Sequence, residues 1–128
     1  MGLTGEVVEA IAEIRASFPG SQVTFREDGQ GGAFVTVDPI DPGPPYRQRE
    51  AWMGFQITFQ YPYSDVYPHF VRGDLARVDG VPLGEAMSAT TWEGRPAIQL
   101  SRRSNHLDPN SDTAVLKLQK VLRWLASR

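Results

Sequence analysis

A chain of 128 residues, 41% hydrophobic and 22% charged, has the size and apolar content of one core-forming domain, so a single domain over 1–128 is expected and a disordered chain is excluded. Its formal net charge of −2 gives no general attraction to phosphate backbones, and nucleic acid is not an expected partner. With no cysteine, disulfides, thiolate metal cages, thiol nucleophiles and thiol redox switches are all excluded.

The N-terminal stretch from Met1 to Ala12 carries Glu6 and Glu9 and lacks the basic start and apolar run of a signal peptide. No segment approaches the length of a membrane span, so a cytoplasmic protein without a membrane partner is expected. Val7, Val8, Ile11, Ile14 and Phe18 recur at helical spacing behind Thr4, a residue suited to capping, which predicts a first helix over about Thr4 to Ser17. Pro19-Gly20 ends it. Val23 and Phe25, then Ala33, Val35 and Val37, alternate as strands do on either side of the turn-prone run Asp28 to Gly32, which predicts a hairpin.

Asp38 to Pro45 holds Pro39, Pro42, Pro44 and Pro45. Proline fixes the backbone and lacks a donor, so this segment is predicted as a stiff connector rather than a central strand. Met53, Phe55, Ile57 and Phe59 then alternate with Gly54, Gln56, Thr58 and Gln60, the pattern of a half-buried strand. Phe70 and Val71, with Leu75 and Val78 as candidates for its continuation, offer a further short strand before the Asp79-Gly80 turn. Val81 to Gly94 lacks a clear period and reads as loop with at most one helical turn. Pro96 to Leu100 reads as a short strand. Val115, Leu118, Val121, Leu122 and Leu125 make the buried stripe of a closing helix capped by Ser111 or Asp112, with Lys117, Lys120 and Arg123 outside. The sum is an α+β fold: an N-terminal helix, an antiparallel meander of three to four strands, a long irregular segment and a C-terminal helix on the sheet.

This order, together with Tyr61-Pro62-Tyr63-Ser64-Asp65-Val66-Tyr67-Pro68 directly after the third strand, resembles the ubiquitin-conjugating and RWD superfamily. Phe59 before that segment and Phe70-Val71 after it fit the same pattern. The stretch Trp92 to Asn105 is similar to segments of divergent bacterial conjugating-enzyme-like families. Matching Ile98 and Leu100 to the family's active-site stretch places Gln99 where the modifier-accepting cysteine would stand, and no His-Pro-Asn motif precedes it. Only a thiolate both attacks an activated ester and leaves again readily, so thioester conjugation is excluded. The resemblance therefore implies a non-catalytic member that binds or scaffolds within a bacterial ubiquitin-like modification system. Its implied partners are a ubiquitin-like protein, an activating enzyme or a deconjugating peptidase.

The residues themselves offer two candidate surfaces. Tyr63 and Tyr67 can present large contact area at small entropic cost, whereas Tyr61 is expected to pack under the sheet. Arg102 and Arg103, with Gln99, Asn105 and His106 nearby, form the most donor-rich stretch; Arg95, Ser101 and Ser104 stand beside them. Paired guanidinium donors suit a carboxylate or phosphate. The plainer alternative is a solvated loop in which Arg102 or Arg103 pairs with Asp108 or Asp112. Two other functions stay open: a small-molecule enzyme or anion-binding protein built on Arg102, Arg103 and His106, and a module that self-associates through a sheet edge or the last helix. His69 and His106 lack metal-motif spacing, and neither a metal nor a cofactor is expected. Gly29-Gln30-Gly31-Gly32 lies in a hairpin turn and is no phosphate loop.

Overall fold

The computed structural model describes residues 2–128. Helix α1 spans Gly5–Ser17, and the Thr4 hydroxyl caps it by accepting from the Val7 amide at 3.2 Å. Val7, Ala10, Ile11 and Ile14 form its buried stripe, while Val8 is exposed. Strands β1 (Gln22–Glu27), β2 (Ala33–Ile40), β3 (Ala51–Ile57), β4 (His69–Arg72), β5 (Met87–Trp92) and β6 (Arg95–Leu100) follow, and α2 (Ala114–Ala126) closes the chain. The strands form one antiparallel sheet in the order β1-β2-β3-β4-β6-β5. The α+β class and the two flanking helices are as expected, but the sheet has six strands.

Two differences from the expected elements have local causes, and a third concerns where β4 ends. Asp38, Pro39 and Ile40 continue β2, an inner strand of the sheet, rather than belonging to the connector. The ladder with β3 slips between Val37 and Ile40, and that irregularity lets a proline sit where no ladder donor is needed. Met87–Trp92, expected as loop, is the edge strand β5. Ser88, Ala89, Thr90 and Thr91 are all exposed there, so neither face of the strand imposes an apolar period. Leu75 and Val78 lie beyond β4, Leu75 buried and Val78 exposed.

Ser111 and Asp112 do not cap α2; Thr113 does, accepting from the Leu116 amide at 3.3 Å. Lys117 is the second departure in this helix, since it turns inward with Ala114, Leu118, Val121 and Leu125. One face of the sheet, through Val35, Val37, Met53, Phe55, Ile57, Val71 and Leu100, shares its core with both helices. His69 sits on that face, fully buried, 5.1 Å from the Phe55 ring centroid.

The opposite face carries no helix and is covered by the sheet's own end. Glu93 and Gly94, at φ 49° and 78°, make the two-residue turn between β5 and β6, a geometry that suits glycine. Trp92 stacks with Trp52 and Phe70 at centroid separations of 5.8 and 5.7 Å. The Glu93 carboxylate bonds the guanidinium of Arg26 on β1, the far edge of the sheet, at 3.1 and 2.8 Å. The β5–β6 hairpin thus bends across the outer face and touches the opposite edge. No helix is long and apolar enough to cross a membrane among the described residues.

Candidate functional site

Asp65 organises the region around the arginine-rich stretch. Its carboxylate accepts from the Ser104 amide at 2.7 Å, the Ser104 hydroxyl at 2.9 Å, and the Lys117 ammonium at 3.1 and 3.0 Å. Lys117 also donates to the Ser104 hydroxyl at 2.8 Å. The Tyr-Pro loop, the loop after β6 and α2 are joined by this one knot. Burial alone would raise the Asp65 pKa, but the Ser104 amide, Lys117 and the Ser104 hydroxyl together hold it below the ordinary carboxylate value. Tyr61 reinforces the same junction: it is buried, as expected, and its hydroxyl accepts from the Ala114 amide at 2.9 Å.

Arg102 and Arg103 directly precede the Ser104 that this knot fixes. The Arg103 guanidinium lies 4.2 Å from the Tyr67 ring centroid and that of Arg102 5.1 Å from the Trp124 ring. Aromatic stacking holds a guanidinium while leaving its in-plane N–H groups free. Between the loop and α2 opens a cleft of about 200 Å³ to which Arg102, Arg103, Asn105, Asp112 and Lys120 contribute. The alternative pairing of these arginines with Asp108 or Asp112 is not what the structure contains. Asp112 accepts from the Asp108 amide at 2.7 Å and lies 3.9 Å from Lys120. Asp108 accepts from the Asn110 amide and the Ser111 hydroxyl. Among the described residues Arg102 and Arg103 form no ion pair.

Of the residues singled out in the sequence, Tyr67, Arg102, Arg103 and Asn105 come together here. Gln99 lies on β6 opposite Phe70 and Ser88, its amide donating to the Ser101 hydroxyl at 3.1 Å. Tyr63 is 78% exposed and stands with Phe59 and Glu6 beside a separate shallow cleft. His106, exposed at φ 55°, does not line the arginine cleft. Asp65, Lys117 and Trp124 are the site residues that sequence reasoning missed, while Ser104, read there only as a neighbour of the arginines, is a member of the knot. Lys117 carries a signal, because it falls at i+3 from Ala114 and i−4 from Val121 on the apolar stripe. Among the described residues no His, Cys, Asp and Glu gather in a group that could hold a metal ion. Compared with family models, curated proteins and solved structures, the chain matches none.

Proposed function

We propose that this chain is a cytoplasmic ubiquitin-conjugating-like domain that works by binding, and that the cleft beside α2 holds the C-terminal carboxylate of a protein partner. In this reading it is a scaffold component of a ubiquitin-like modification system, engaging the ubiquitin-like protein, its activating enzyme or a deconjugating peptidase. The observation that carries the proposal is the pair Arg102 and Arg103: both are braced by aromatic rings, neither is neutralised by a carboxylate, and both open on one cleft. The Tyr-Pro segment after β3 and the absence of cysteine support the family reading and its non-catalytic form.

A titration followed by amide chemical shifts tests it, using a short peptide with a free C-terminal carboxylate and the same peptide amidated. The free acid shifts Ser104 and Asn105 and the amide does not. Arg103→Ala weakens the interaction about tenfold or more, the scale of a lost charge-assisted hydrogen-bond pair. Equal response to acid and amide, or none to either, overturns the proposal. A stronger response to inorganic phosphate than to the acid favours an anionic small molecule instead.

A further inference from the structure

The sheet has two outer strands, and only one is protected. In the β1–β2 ladder the Asp28 amide donates to the Gly32 carbonyl at 3.0 Å, so Arg26–Phe34 and Thr24–Thr36 are hydrogen-bonded pairs and Val23, Phe25 and Glu27 aim their backbone groups outward. That edge is blocked: Arg15 of α1 donates to the outward Val23 carbonyl at 3.0 and 3.4 Å, and charged Arg26 and Glu27 lie along it.

At the other edge, the Ser101 amide donates to the Ala86 carbonyl at 2.8 Å, in register with the β5–β6 ladder. By the antiparallel alternation Ser88, Thr90 and Trp92 bond β6, while Met87, Ala89 and Thr91 present N–H and C=O to the free side. Pro96 agrees with this phase, since it stands opposite Thr91, where no donor toward β5 is needed. No charged residue occurs in Met87–Trp92, and Ser88 to Thr91 are exposed.

We propose that β5 pairs antiparallel with β5 of a second copy of this chain, joining two sheets into one across a twofold axis at Ala89. The strand fits itself better than an arbitrary partner. With Ala89 opposite Ala89 and Met87 opposite Thr91, every outward N–H and C=O of these three residues meets a partner, and each residue keeps to its own face of the sheet. Ser88 then stands opposite Thr90, a favourable polar pair, and the small central side chains allow close approach. Charge enters only beyond the ends, where Glu85 comes near Glu93 of the other copy, and Glu93 is already bonded by Arg26.

Strand pairing alone buries little area, so the dimer is weak and concentration dependent. Sedimentation equilibrium from about 1 µM to about 1 mM tests it, with Ala89→Pro and Ala89→Lys as variants. The proline removes an N–H that bonds nothing within the chain; the lysine places like charges face to face at the axis. The wild-type mass rises toward twice the monomer's, while both variants stay monomeric with unchanged circular dichroism. Hydrogen exchange at Met87, Ala89 and Thr91 slows as concentration rises, and Ser88 and Thr90 are protected throughout. A wild-type chain that stays monomeric, or a dimer that survives Ala89→Lys, overturns the proposal; if Ala89→Pro fails to fold, Ala89→Lys and the exchange pattern decide.

Discussion

Trp92 rests against the backbone of Gly54, so closely that a Cβ on Gly54 would collide with the indole. The two belong to strands separated by β4 and β6 in the sheet order. Glycine in mid-strand is ordinarily a weakness, and here it is the seat for the bent hairpin. Gly54→Ala forces the indole away and destabilises the fold by about 1–3 kcal/mol, the range for overpacking a filled site. Urea unfolding measures this. Combined with Trp92→Leu, the second change costs less than it does alone, because the two act at one contact.

His69 makes stability depend on acid. Burial, then Lys117, push its pKa down to about 3 against the weaker opposing pull of Asp65, and neither ring nitrogen meets a hydrogen-bonding partner from the chain. Between pH 6.5 and 3 the unfolded chain binds a proton at this residue that the folded chain does not, so stability falls as pH falls through that window. The slope is about 1.4 kcal/mol per unit, or roughly 2 kcal/mol lost by pH 5. Chemical denaturation at pH 7 and pH 5 checks it, and His69→Leu removes this component of the slope. An unchanged slope in the variant would show that another group carries it.

Tyr61→Phe tests whether the Tyr-Pro loop anchors α2. The hydroxyl accepts from the Ala114 amide, one of the first-turn donors that a helix leaves without an intrahelical partner. Its loss strands a buried N–H and costs about 1–3 kcal/mol, read as a lower urea midpoint at unchanged m-value. A loss within experimental error would mean that the first turn of α2 finds another acceptor.

Both helices, the Ala33–Val37 part of β2 and β3 were legible because one-sided burial leaves a period in the sequence; β1, with only Val23 buried, was legible as the partner of that hairpin rather than by a period of its own. Met53, Phe55 and Ile57 face a core while Trp52 and Gln56 do not. β5 was hidden for the opposite reason: Ser88 to Thr91 are exposed on both faces, and only the ladder to β6 makes them a strand. Arg102 and Arg103 were legible as donor-rich neighbours. What braces them was not, because Tyr67 and Trp124 are distant in sequence and the Asp65 knot joins three segments. Gln99 and Arg102 look adjacent along the chain, yet the strand ends between them, which parts the former from the cleft.

The Asp65–Lys117 pair is the strongest test of how that cleft is held. The side chains are 15% and 9% exposed, so the pair is largely removed from water, unlike the solvated Arg26–Glu93 pair. A buried pair is costly to break from one side, because the remaining charge has neither water nor partner. Asp65→Asn leaves Lys117 inward without its counter-charge and costs about 3 kcal/mol, whereas Glu93→Gln costs less than about 1 kcal/mol. In Asp65→Leu/Lys117→Met no charge is stranded, and the double variant recovers much of the stability lost in Asp65→Leu. Its Ser104 amide and hydroxyl still lose their acceptor, so the loop carrying Arg102 and Arg103 loosens even where the fold is restored. Measured by denaturation and by the carboxylate-peptide titration on the same proteins, recovered stability with weakened binding separates a knot that aims the arginines from one that only holds the helix. Recovered stability with full binding would show that aromatic stacking alone places them.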